Sequence, residues 1–276
     1  MNGQGNVTHP LAAVSSWGPT ATAGFVWSGA TRTTGPVDRT FQWASVTKVV
    51  TSLAVWIAVE EGIVGWDDPV GPPGATLRHL LAHAAGLAPD SDEVLTAPGR
   101  RRVYSNRGIE IAAGHVEKAA GMAFRDYLSE AVLQPLRMTS TTVENPAWGG
   151  AGPLRDLLAL ACELQHPRLV APATLAEATA PAFPGLRGVL PGFGPQEDNS
   201  WGLGVEIRDG KRPHWTGSLN SPRTFGHFGR SGSFLWVDPD AGVAAASLAD
   251  TAFGPWAAEA WPALSDAVIA ATRPAG

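Results

Sequence analysis

The chain has 276 residues but a single cysteine, Cys162. An intrachain disulfide is therefore impossible, and a cysteine-based metal site is not expected. Cys162 reads instead as a small apolar residue buried in a helix. Long apolar runs are missing as well, since no stretch approaches the roughly 18 uninterrupted apolar residues of a membrane span. The opening residues, Met1-Asn2-Gly3-Gln4-Gly5-Asn6, lack the basic start and apolar core of a signal peptide, so the expected location is the cytoplasm. An excess of basic charge is also absent. The formal net charge is -5, and no basic stripe is interleaved with aromatics, which argues against nucleic acid as a partner. Arg100-Arg101-Arg102 is the one basic run. It reads as a solvated loop flank, with the alternative of attracting anionic substrates because it lies just before Tyr104.

What is present is a globular composition, 44% hydrophobic and 16% charged, long enough to bury a substantial core in one large domain or two subdomains. Its most informative segment is Ser45-Val46-Thr47-Lys48 at the head of an apolar helical run. Residues at i and i+3 share a helical face. A serine hydroxyl is a weak nucleophile until a neighbour takes its proton, and a lysine can do so only when its pKa is lowered. The same four residues also fit a helix with Ser45 as its N-cap. Downstream, Tyr104-Ser105-Asn106 forms a turn into a helix, where Tyr104 fits either a cleft or the core. His227-Phe228-Gly229-Arg230 precedes the strand-like run Ser233 to Val237, and Gly229 would let a ligand approach the backbone. His79 and His83 stand four apart, but the Glu of a zinc-binding H-E-x-x-H helix and an obvious third ligand are missing.

Short strands are expected near residues 21–28 and 40–43, and a helix from Ser45 to about Glu61 with Gly62 closing it. Further helices are expected over 77–84, 106–120, 124–132, 154–165 and 173–179. After a Pro/Gly-rich connection over 181–195, strands are expected at 201–208, 232–237 and 242–248, the last two joined by Asp238-Pro239-Asp240. A final helix spans 255–271. Strands at both ends imply a discontinuous α/β subdomain, residues 1–61 with 199–276, around a helical subdomain of residues 62–198. The cleft would lie where the two meet.

Taken in order, these motifs resemble the serine β-lactamase and penicillin-binding-protein superfamily, in particular its class C-like branch with the D-alanyl-D-alanine carboxypeptidases and the β-lactamase-like esterases. Tyr104-Ser105-Asn106 stands in place of S-D-N, and His227 in place of the Lys of K-T-G. Gly65 to Val70, Leu77 to Leu87 and Leu133 to Thr139 extend the likeness, which runs from about Phe41 to Leu248. The resemblance implies an antiparallel sheet flanked by helices with an inserted, mostly helical subdomain. It also implies a serine acyl hydrolase working on a small-molecule ester, amide or β-lactam, with no cofactor and no metal.

On that resemblance Ser45 is the nucleophile, while Lys48 and Tyr104 share the proton work. Asn106 orients Lys48 and the substrate, and the backbone N–H groups of Ser45 and Arg230 form the oxyanion hole. His227, Phe228 and Gly229 border the substrate. Phe228 departs from the family pattern, which has a Thr or Ser hydroxyl there to hold a substrate carboxylate. An esterase or amidase acting on short-chain neutral esters is therefore expected ahead of a β-lactamase or a D-Ala-D-Ala carboxypeptidase, and Phe228→Thr is expected to narrow that preference. A catalytically silent binding module on the same fold is the alternative from another class.

Overall fold

The computed structural model describes residues 9–273. Its frame is a six-stranded antiparallel sheet in the order β2-β1-β11-β10-β9-β8. The strands are β1 (Ala21–Trp27), β2 (Ala30–Thr34), β8 (Glu206–Ile207), β9 (Phe225–Gly229), β10 (Ser233–Asp238) and β11 (Val243–Ala249). Chain ends meet in the middle of this sheet, where Ala21 pairs with Ala249 and Trp27 with Val243. Successive strand residues point to opposite faces. Leu235, Val237, Ala244, Ala246 and Leu248 accordingly join the larger core, and Phe234, Trp236, Val243 and Ala245 join the smaller one. The smaller core is closed by the last helix, α7 (Pro255–Thr272), through Trp261, Leu264, Val268 and Ile269. β10 and β11 are buried along their whole length, as expected of strands covered on both faces.

The larger core contains α1 (Thr47–Glu60), which is buried on every side from Thr47 to Ala58. A helix apolar all round belongs at the centre of a domain. It closes at Gly62, whose φ of 71° lets Ile63 N–H return to the Ala58 carbonyl at 2.9 Å. Around it stand α2 (Leu77–Leu81), α3 (Asn106–Ala120), α4 (Phe124–Leu128, continued by a π-turn over Ser129–Leu133), α5 (Leu154–Gln165) and α6 (Pro172–Ala178). α5 lies within the stretch expected to be a helical subdomain, yet Leu154, Leu157 and Leu158 share the larger core with Val26, Leu235 and Leu248 of the sheet. Cys162 of α5 is only half-buried, not the enclosed core residue expected.

Two small sheets complete the frame. β3 (Phe41–Ala44) pairs with β5 (Gly150–Gly152), which pairs with β4 (Thr142–Val143); β6 (Gly188–Leu190) and β7 (Gly194–Gln196) form a hairpin within the Pro/Gly-rich connection. The strand expected over 201–208 contracts to Glu206–Ile207, and Trp201 bridges back to Glu206. No helix among the described residues is long and apolar enough to cross a membrane.

Candidate active site

Ser45 lies in the turn between β3 and α1. Its predecessor, Ala44, has φ 46°, an uncommon conformation for a residue with a side chain, and a β-bulge disturbs the pairing between Gln42 and Ala44. The helix begins at Thr47 with Val46 in the cap position, so Ser45 is not its N-cap. Its hydroxyl is engaged elsewhere. Tyr104 OH donates to Ser45 Oγ at 2.7 Å, and Lys48 Nζ stands 3.3 Å from the same oxygen.

Lys48 is fully buried. Its Nζ donates to Asn106 Oδ1 at 2.6 Å and to the Ala147 carbonyl at 2.7 Å. Burial pushes its pKa down to about 7, against the opposing pull of Asp90 and Glu110. A neutral amine has two hydrogens, which the two carbonyl oxygens take up. The lone pair is then left for Ser45. Asn106 is held in the orientation that permits this, because its Nδ2 donates to Asp90 Oδ1 at 2.7 Å. A flipped amide would set donor against donor. The middle residue of the triplet is structural: Ser105 Oγ caps α3 by accepting from Gly108 N–H at 3.0 Å and donates to the Ala88 carbonyl at 2.7 Å.

Tyr104 packs against three rings, His83 at 4.6 Å, Trp201 at 5.7 Å and His227 at 5.8 Å between centroids. Burial pushes its phenol well above its ordinary pKa, so it stays protonated. His227 Nδ1 sits 2.6 Å from the Phe228 carbonyl, and its Nε2 lies 3.4 Å from Tyr104 OH. A carbonyl only accepts, so Nδ1 carries the hydrogen. Burial and the neighbouring Lys48 push the His227 pKa down to about 3. The ring is neutral at any working pH and does not reproduce the cation of a K-T-G lysine.

The two remaining histidines of interest serve the frame. His83 Nδ1 accepts from Ser105 N–H at 3.2 Å and its ring stacks edge-on against Trp201. His79 Nδ1 accepts from Thr76 N–H at 3.2 Å, capping α2, and its ring stacks on Phe183. Their ring nitrogens point to different partners, and no group of three or more metal-ligating side chains occurs among the described residues.

Ser45, Tyr104, Asn106, His227, Phe228 and Arg230 line one cleft of about 310 Å³. The backbone N–H groups of Ser45 and Arg230 are taken up by no turn, cap or side-chain bond among the described residues. Gly229 also has a steric role that its sequence context does not suggest. A Cβ there would stand 2.3 Å from the Trp43 carbonyl and 2.4 Å from Ser233 Oγ. The missing side chain admits the backbone of β3. Phe228 borders the cleft but is 8% exposed, its ring packed against Phe253 at 5.1 Å, Phe193 and Trp215 at 5.7 Å and Trp261 at 5.9 Å. It is a core residue more than a free apolar face.

Several contributors carry no sequence signal: Asp90, the Ala147 carbonyl, Trp201 and Glu206. Glu206 lines the cleft and accepts from Lys211, from His214 Nε2 at 2.9 Å and from Trp215 Nε1 at 2.9 Å. Burial alone would raise its pKa, but these donors outweigh it and hold the carboxylate ionised. Arg102 is equally unforeseen. It is not a solvated flank but a 2% exposed residue whose guanidinium donates to the carbonyls of Ala82, Ala182, Phe183 and Asn199.

Fold and cluster together define a serine hydrolase frame. Residues 21–268 match the family model described as Beta-lactamase. The chain belongs to that family. A β-lactamase from Mycobacterium bovis is 47% identical, with a TM-score of 0.94 over 96% of this chain and 99% of that one. Penicillin-binding protein 4* of Bacillus subtilis (strain 168) is 30% identical over 138 residues, 38% of this chain and 31% of that protein. The match thus spans about a third of that relative's length. Unliganded simvastatin synthase from Aspergillus terreus shares the fold, at 18% identity and a TM-score of 0.75 over 94% and 95% of the two chains.

Proposed function

We propose that the chain is a serine acyl hydrolase of the class C-like branch, acting through an acyl-enzyme on Ser45 and preferring neutral esters or amides to β-lactams. The carrying observation is that strand β9 itself offers the cleft neither a cation nor a hydroxyl for a substrate carboxylate, since His227 is neutral and Phe228 is apolar. Arg230, just beyond the strand, is the one cationic side chain among the described residues of the cleft lining, and faster cephalosporin turnover would assign it the carboxylate grip.

In this reading neutral Lys48 takes the Ser45 proton as Oγ attacks the acyl carbon. The developing oxyanion is met by the N–H groups of Ser45 and Arg230, a donor pair of the kind whose loss typically costs about 2.7–4 kcal/mol per donor. Tyr104, kept as a phenol, donates to the departing oxygen or nitrogen. The Lys48 ammonium, whose Nζ lies over the Tyr104 ring at 4.8 Å from its centroid, returns its proton to the Tyr104 oxygen, so that both side chains end as they began. The acyl–oxygen or acyl–nitrogen bond breaks and the leaving group departs neutral. Water then attacks the acyl-enzyme with Lys48 again the base, returning Ser45 to its hydroxyl. A small-molecule acyl compound is the only partner this chemistry requires.

The test compares kcat/KM for p-nitrophenyl butyrate and a chromogenic cephalosporin. The ester is expected to be favoured at least about tenfold, equivalent to about 1.4 kcal/mol of transition-state stabilisation. The name of the 47% identical M. bovis relative favours the second reading, β-lactam hydrolysis, and faster cephalosporin turnover would put it first. Failure of a fluorophosphonate to label the protein would favour a silent binding module.

A further inference from the structure

A second concavity of about 350 Å³ adjoins the cleft and shares Tyr104 and Pro191 with it. Its lining is largely apolar, from Pro89, Leu95, Val103, Val189 and Pro191, with Thr96 and the Arg101 side chain as further polar members. Leu95 and Val189 are 53% and 48% exposed, so large apolar side chains face the opening without a partner. Side-chain alternation along β6 explains the arrangement. Leu190 turns into the catalytic cleft, while Val189 before it turns into the groove.

The walls are tied together. Arg102 N–H donates to the Arg187 carbonyl at 2.8 Å, joining the Tyr104 segment to the β6–β7 hairpin. The Arg102 guanidinium fastens the same segment to Ala182, Phe183 and Asn199. Gly188 lies flush on this strut, since a Cβ there would stand 2.7 Å from Arg102 Cβ. The groove is therefore built into the frame rather than formed by loose loops.

We infer that this groove is a substrate subsite for an unbranched apolar arm of medium length, carried by the ester whose carbonyl reaches Ser45. The inference rests on the acyl-hydrolase reading above and narrows its substrate class. Three observations carry it: continuity with the cleft at Tyr104, apolar walls, and rigid closure by Arg102. A methylene needs about the room of a water molecule, roughly 30 Å³, so the groove has space for on the order of ten. Both the acyl chain and the alcohol chain of an ester have this chemistry.

The experiment measures kcat/KM for two series at concentrations below micelle formation. One series lengthens the acyl chain of p-nitrophenyl esters from two to ten carbons. The other lengthens the alcohol chain of acetate esters over the same range. One series is expected to rise by up to roughly fourfold per methylene, the worth of a fully buried CH₂, and to level off near eight carbons; which series rises identifies the arm. Val189→Asp and Leu95→Asp, both in the groove lining, are each expected to flatten that rise. Acetate turnover with flat profiles in both series would overturn the groove assignment while leaving the hydrolase reading intact. A slope surviving in both variants would overturn it equally, because the arm would then lie elsewhere. No turnover of any ester, with no label on Ser45, would instead remove the hydrolase reading itself.

Discussion

Asp90 holds the Asn106 amide from one side, at 2.7 Å, while that amide receives the Lys48 amine on the other, at 2.6 Å. An exposed carboxylate thus orients a fully buried base through a single side chain. Asp90 also pulls the Lys48 pKa upward. Asp90→Asn is therefore expected to move the rising limb of the pH–rate profile to lower pH, with the plateau falling less than about tenfold. A limb that stays in place or moves up would show that Asp90 does not act through Lys48.

In the wild type, kcat/KM for p-nitrophenyl butyrate is expected to rise with pH through a midpoint near 7. Only the deprotonated Lys48 amine can accept the Ser45 proton, and burial brings its pKa to about 7. His227, at about 3, adds no limb in the neutral range. Tyr104, pushed upward, adds no fall until strongly alkaline conditions. A profile flat between about pH 6 and 8 would contradict Lys48 as the base.

Lys48→Ala and Tyr104→Phe should each lower turnover by about a hundredfold or more. Both side chains meet the same atom, Ser45 Oγ, so the double variant should lose much less than the product of the two. Full additivity in that cycle would mean independent roles.

Ser45 is expected to be the sole acylation site. Intact-mass analysis after phosphonate treatment should show one adduct in the wild type and none in Ser45→Ala. An adduct surviving that substitution would move the nucleophile to another residue.

Phe228→Thr is now expected to cost stability first. Its ring fills a space among Phe193, Trp215, Phe253 and Trp261, and large-to-small changes of this kind cost roughly 3 kcal/mol, or a fall in Tm of roughly 6–12 °C. Calorimetry checks this. Any gain in cephalosporin turnover has to be read well below the lowered Tm, and an unchanged Tm would show that the ring belongs to the cleft after all.

The sequence determined whatever rests on local pattern. α3 and α5 begin and end where their apolar spacing and flanking residues place them, at Asn106–Ala120 and Leu154–Gln165, because a helix is built from contacts three and four residues apart. Ser45 and Lys48 are legible for the same reason. Strand β9 is not. Its sequence Phe-Gly-His-Phe-Gly has poor strand propensity, and its glycines answer to distant neighbours: Gly229 to Trp43, and Gly226, at φ 155°, to the Leu235 carbonyl, 2.0 Å from where a Cβ would sit. Only the tertiary structure brings Asp90 and Ala147 to Lys48, Trp201 to Tyr104, and Glu206 to the cleft wall. Their chemistry depends on burial and on partners far along the chain, and neither quantity is written in any local window. The pKa of Lys48 follows the same rule: the sequence supplies the amine, but enclosure by the folded chain makes it a base.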